Sequence, residues 1–295
     1  MGVAFHADDY GITEQQARDI LALSSACGGD GALSSVSIFV NSPAFEIAAD
    51  LARPYVESGA LRMALHLNLV EGRSCANTAE VPLLVNARGT FCNDFVGLLK
   101  LSHGPQRWEF RRQLQRECEA QITRYLQAFP QMKDVLRLDS HQHTHAVPAV
   151  FDAAMATVRE QGCTLAHLRC PVEPLRPHRV VGIHMPPINL AKDALITWLW
   201  RSNRGKVPAG CASSLFCGVV LSGAMDKVSW PLVEAFDSIA RDRAQNVEVL
   251  FHPVSVPIER CLDPQNEPFA QACASEARDR EAACLRKLAS NRSLA

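Results

Sequence analysis

No run of about 18 apolar residues, the length a membrane-spanning helix needs, occurs in this 295-residue chain. The longest apolar stretches, such as Ala194–Trp200, fall well short of it. Charge of one sign is also lacking: 30 Lys+Arg stand against 31 Asp+Glu, a formal net charge of −1. A surface that tracks phosphates needs a marked cationic surplus, so nucleic acid is not an expected partner. Eleven cysteines contain no CxxC pair. The odd count without that spacing speaks against a zinc knuckle or a thioredoxin-type motif, and for free thiols in a reducing compartment. The opening MGVAFHADDYG lacks the basic stretch and apolar run of a secretory signal. There is no GxSxG elbow, no GxxxxGK[ST] loop and no GxGxxG fingerprint. Serine-nucleophile, P-loop and dinucleotide chemistries are thereby set aside. A cytoplasmic globular chain is expected, and metal-activated water is the chemistry that survives.

Short β-rich runs alternate with helical patterns. Val3–Ala7, Leu33–Val40, Leu61–Leu69, Val135–His141, Thr164–Arg169, Val180–His184, Cys217–Ser222 and Val247–His252 read as strands. Thr13–Ala26 reads as a helix, with Thr13 and Gln16 in capping-box spacing. Further helices are expected from Ser42 to about Arg53, over Pro105–Phe129 and Pro148–Gln161, and near 190–203, 225–244 and 275–290. This alternation argues a parallel sheet, either open or closed into a barrel. The polar stretch 70–104 reads as a lid or binding loop. Asp8, Asp9, His66, His141, Arg169 and His252 all stand at or near strand ends, where a barrel would gather them on one rim.

Asp8 and Asp9 are adjacent, so they reach one pocket only if the chain bends, which Gly11 can permit. A divalent cation would relieve their repulsion, one carboxylate ligating it and the other serving as a base; a helix cap is the alternative. In Asp139–His145 (DSHQHTH), His141 and His145 are four apart and share a face in either extended or helical chain. Imidazoles at that spacing suit a divalent ion, with Asp139 orienting one of them, although a solvated polar loop has the same composition. His66, taken alone, reads first as a core histidine, and His252 alone serves either reading equally. Arg169 could anchor an acidic ligand or pair with a carboxylate.

Together these segments resemble the YdjC-like carbohydrate deacetylases. HADDYG (6–11), LHLNLVEG (65–72), ECEAQITRYL (117–126), RLDSHQHTH (137–145), LR (168–169) and FHP (251–253) follow that family's order to about position 255, and 275–288 resembles its closing helix. His6 and Tyr10 replace the family's usual Asn and Phe, and 172–246 has no close match. The resemblance implies one domain over 1–295, a distorted (β/α) barrel of about seven parallel strands, with 70–104 covering substrate and a C-terminal helix at 275–290. It implies removal of the acetyl group from an N-acetylated amino sugar or oligosaccharide with one divalent ion, magnesium or zinc. Asp9, His66 and His141 match the metal positions and Asp8 the general base. His252 matches the late histidine that protonates the leaving amine or steadies the oxyanion. His145 and Arg169 are further candidates, as a secondary ligand or substrate contact. The expected partner is a small saccharide, with no nucleic acid or membrane, and a homodimer is allowed. Two rival readings are a metal hydrolase acting on a phosphoester or another amide, and a non-catalytic saccharide-binding protein.

Overall fold

A computed structural model describes residues 2–292. Its centre is one sheet of seven strands: β1 (Val3–Tyr10), β2 (Ser35–Ile38), β3 (Arg62–Leu67), β4 (Leu136–Ser140), β5 (Leu165–Leu168), β6 (Leu215–Cys217) and β7 (Val247–Phe251). Their order is β5-β4-β3-β2-β1-β7-β6, and all pairs are parallel. The sheet curls until its edges approach, joined by an isolated parallel bridge from His167 to Ala212 just ahead of β6. This is the distorted barrel of about seven parallel strands.

The helices are α1 (Glu14–Leu21), α2 (Phe45–Glu57), α3 (Phe95–His103), α4 (Arg107–Ala128), α5 (Pro148–Glu160), α6 (Arg176–Val181), α7 (Pro187–Asn203), α8 (Trp230–Asp242), α9 (Glu267–Cys273) and α10 (Glu276–Arg292). None is long and apolar enough to cross a membrane. All eleven cysteines are free.

Period-two alternation decides which side of the sheet is greasy. Phe5 and Ala7 of β1, Val36 and Ile38 of β2, Met63 and Leu65 of β3, and Val247, Val249 and Phe251 of β7 belong to the main apolar core. Each such side chain, fully buried, contributes about 1.5–3 kcal/mol if it is as large as Val or Phe. The alternate positions, His6, Asp8, Ser35, Ser37, His66, Asp139 and Glu248, are buried and polar. The concave side of the sheet is therefore lined with ionisable groups, where a filled barrel would carry branched apolar ones.

Three segments depart from expectation. Val180–His184 is not a strand: Pro177 opens α6, His178 anchors it by donating to Glu173 at 2.6 Å, and left-handed Gly182 ends it. The strand expected over 217–222 stops at Cys217. The reason is competition, because Glu173 Oε2 accepts the amides of Gly218, Val219 and Val220 at 3.0, 2.7 and 2.9 Å. Residues 70–104 are not an irregular loop throughout, since Asp94 caps α3 by accepting from Gly97 N at 2.7 Å.

Candidate metal centre and its cavity

The bend that brings both aspartates into one place lies in β1 itself. Pairing with β2 runs regularly to Ala7↔Val36 and resumes at Tyr10↔Ile38, so one extra residue is absorbed. Asp9 absorbs it, with φ at 61°. A bulge re-aims side chains that alternation would send to opposite faces, and both Asp8 and Asp9 line the same cavity. Gly11 also has a positive φ, and a Cβ there would lie 2.9 Å from that of Ala48, but the turn has already begun two residues earlier. Gln16 clamps it: its Nε2 donates to the Asp9 carbonyl at 2.8 Å, and its Oε1 accepts from Gly11 N and Ile12 N at 3.1 and 3.0 Å. Thr13 is the N-cap of α1, accepting from Gln16 N at 3.1 Å, so neither aspartate acts as the cap.

Asp9, His66 and His141 meet. Asp9 Oδ1 lies 3.5 Å from His66 Nε2 and 3.1 Å from His141 Nδ1. Donor atoms bound at about 2.1 Å to a common ion lie about 3.0–3.4 Å apart in octahedral or tetrahedral arrangements. The spacing therefore fits ligands around a cation, and two atoms call for one: Asp9 Oδ1 and His66 Nε2 are buried without a hydrogen-bond partner, while His141 turns Nδ1 toward the same oxygen. Orphaned polar atoms at such density are uncommon. The other Asp9 oxygen, Oδ2, is held by Arg278 Nη2 at 2.6 Å. His66 is oriented from behind by Asp139, whose Oδ1 lies 2.5 Å from Nδ1, the outer-shell arrangement common to metal-binding imidazoles. Burial works against a charged His66, but Asp8 and Asp139 outweigh it and raise its pKa to about 10. The cluster favours positive charge at its centre.

Asp8 belongs to a different set of contacts. Arg169 grips it in a two-pronged bond, Nη1 to Oδ2 and Nη2 to Oδ1, both 2.8 Å. The same guanidinium reaches Asp139 at 3.1 Å and Glu248 at 2.5 Å. Ser37 donates to Asp8 Oδ1 at 3.0 Å. Burial alone would raise the Asp8 pKa, but Arg169, then His66 and His6, hold it well below the usual carboxylate range. Glu248, buried and paired with Arg169, is brought down to about 2.

The cavity over this cluster measures about 1220 Å3, above the common range for small-molecule pockets. His252, following β7, lines it, and burial lowers its pKa to about 4. Of the residues grouped from sequence, Asp8, Asp9, His141 and His252 face the cavity and His66 stands behind Asp9. The structure turns the other two inward. His145 spends Nδ1 on Ser140 Oγ at 2.5 Å and Nε2 on the Arg169 carbonyl at 2.9 Å. Arg169 is 1% exposed, and its guanidinium is taken up by three carboxylates. The four-residue spacing of His141 and His145 fails as a guide because the chain leaves β4 through two left-handed residues, Gln142 and His143.

Other contributors went unread. Arg278 sits on α10 with no local signal. Glu248 had one, a charge inside the apolar run VEVLF. Glu71 accepts from Gln142 at 3.1 Å and Asn266 at 2.8 Å, tying the His141 turn to the start of α9. Glu173 and Asn189, the latter donating to the carbonyls of Val220 and Ser222 at 3.1 Å, shape the wall that includes Gly218 and Val219. Residues between 172 and 246, for which the sequence motifs offered no guide, thus build one side of the cavity.

Fold and site together define an α/β barrel protein with an Asp-His-His cluster at the carboxyl ends of its strands. Residues 2–294 match the YdjC-like protein family, and the chain belongs to it. It is similar to the carbohydrate deacetylase of Geobacillus stearothermophilus, 28% identical over 85% of this chain and 89% of that protein. The carbohydrate deacetylase of Danio rerio is 30% identical over 64% of this chain; the match spans 56% of that relative's length. The chitooligosaccharide deacetylase of Serratia marcescens is 25% identical over 54% of this chain and 56% of its own. A solved structure, a candidate cellobiose-phosphate cleavage protein from Enterococcus faecalis, aligns with a TM-score of 0.63 at 17% identity. It covers 99% of this chain and 94% of its own, and shows the shared fold.

Proposed function

We propose that this protein is a divalent-metal-dependent hydrolase that removes the N-acetyl group from an acetylated amino sugar or oligosaccharide. The observation that carries the reading is the pair of unpartnered atoms Asp9 Oδ1 and His66 Nε2, with His141 Nδ1 3.1 Å from the former, beside Asp8 and His252 on one large cavity. The names of the family relatives supply the substrate class. Asp9, His66 and His141 would hold the ion, which when bound polarises a carbonyl and makes water nucleophilic near neutral pH. One carboxylate and two imidazoles suit zinc, and also magnesium with several waters.

The protein's own groups divide the remaining work. Asp8 is kept ionised by Arg169, and its Oδ2 has a lone pair beyond the one that Arg169 occupies. It accepts a proton from water as that water attacks the acetyl carbon. When the C–N bond breaks, the nitrogen needs a proton, because an amine anion is a very poor leaving group. His252 delivers it. Burial keeps this imidazole neutral at rest, so the proton it passes on is one received within the cavity during the reaction. Residues 90–97 cover the cavity from one side and exclude bulk water. The free cysteines suit a reducing compartment, the cytoplasm.

The test is acetate release from a panel of N-acetylated saccharides, abolished by chelation and restored by zinc or magnesium. Hydrolysis of generic phosphoesters with no acetate release would reassign the chemistry. Saccharide affinity by calorimetry without turnover would make the protein a binder.

A further inference from the structure

The run from Asp139 to His145 carries three imidazoles. His141 belongs to the metal cluster and His145 is bonded inward, which leaves His143 without a role. It lines the same cavity as Asp8 and His252. Its backbone is left-handed, φ 55°, directly after Gln142 at φ 52°. Two consecutive residues with side chains in this region cost roughly 1–2 kcal/mol each. The turn is sustained by the Gln142 bond to Glu71 at 3.1 Å and by Ser140, whose hydroxyl accepts from His145 N at 2.9 Å. Strain of this kind collects where a side chain must be aimed.

What it aims is a donor. The ring of His143 stands edge-on to Phe216, centroids 5.4 Å apart, and to His145 at 6.5 Å, which limits its rotation. Its Nδ1 is buried and has no hydrogen-bond partner. A buried orphan N–H is rarer and costlier than a buried orphan lone pair. The hydrogen therefore belongs on Nε2, for which no protein acceptor exists among the described residues. Of the other groups on this wall, Asp8 and Asp9 can only accept.

We infer that His143 Nε2–H is a hydrogen-bond donor to the acetamido oxygen of the substrate, strengthening as negative charge gathers there. This rests on the deacetylase reading. It adds a catalytic residue to the Asp8 and His252 pair, distinct from the metal cluster.

The experiment compares wild type with His143→Phe, which keeps an edge-on ring and loses the donor, and His143→Gln, whose amide N–H replaces it. kcat and KM are measured by acetate release from an N-acetylated chitooligosaccharide, with metal content by elemental analysis. Loss of one such donor costs about 10²–10³ in kcat. His143→Phe should show that fall with KM within about threefold, and His143→Gln should recover to within about tenfold of wild type, both with full metal content. If His143→Phe does not fold, His143→Leu serves under the same criteria. A donor-free variant within threefold of wild type would overturn the inference. So would a rise in KM at unchanged kcat, or equal losses in the Phe and Gln variants. An active wild type in any of these cases leaves the deacetylase reading standing. A wild type silent on every acetylated saccharide would remove that reading and the inference together.

Discussion

Asp8 spends both carboxylate oxygens on Arg169, whereas Asp9, one residue on, gives one oxygen to Arg278 and leaves the other bare. The two belong to different regions. Around Asp8 lies a network that closes on its carboxylates, in which one guanidinium serves Asp8, Asp139 and Glu248 and is compensated by them. His6 Nε2, 3.2 Å from Asp8, is the neighbouring atom left unpartnered. Around Asp9 lies an open cluster, in which Asp9 Oδ1 and His66 Nε2 are unpartnered. The contrast shows how neighbouring residues of one type acquire different chemistry. Full satisfaction holds a charge in place, and incomplete satisfaction makes a binding site.

The largest effect should come from breaking the closed side. Arg169→Met strands three buried carboxylates, and removing one partner of a buried ion network costs about 3–5 kcal/mol. Thermal unfolding should fall by at least about 5 °C; a shift under 2 °C would show that the network is not closed in solution. Next, Asp8→Asn should lower kcat by about 10²–10⁴ while the metal content, read by elemental analysis, stays unchanged. Loss of metal with activity would move Asp8 into the open cluster. His141→Ala acts on the open side. Wild type at a hundredfold excess of metal over Kd should gain about 2.7 kcal/mol, seen as a rise in Tm, and the variant should gain almost none.

The smallest effect tests the rule of compensation at a third place. Asp193 is buried beside Glu173, and the two effects raise its pKa to about 6. The folded protein thus keeps this proton where the unfolded chain has already released it, so rising pH from about 4 to 6 costs stability, and the penalty is complete above that. Asp193→Asn should remove it, raising Tm by about 1.5–2 °C at pH 7 for about 1 kcal/mol. Below about pH 4 the two proteins should unfold alike; a gap that persists there would assign the gain to packing.

Much of the fold was legible because alternation and helix signals are local. Six of the seven strands and the carboxyl-end clustering of Asp8, Asp9, His141 and His252 follow from patterns within a few residues. The errors arose where a distant side chain competes for backbone groups. Glu173 takes three amides that would have extended β6, from a position 45 residues away in sequence. Similarly, Gln16 looked like half of a capping box, yet its amide group holds the carbonyl of Asp9. His145 shares spacing with His141 but not direction, since spacing arguments assume one regular backbone and two left-handed residues intervene. Arg278 was beyond reach, as 269 residues separate it from its partner Asp9.

That last contact makes α10 part of the candidate metal centre as well as the outer shell. Arg278 projects from its third residue, and ribosomes deliver chains from the amino end. A nascent copy with every candidate ligand already emerged still lacks the cation that steadies Asp9. On the proposed function, chains that lack a docked α10 should stay inert even with every candidate ligand in place.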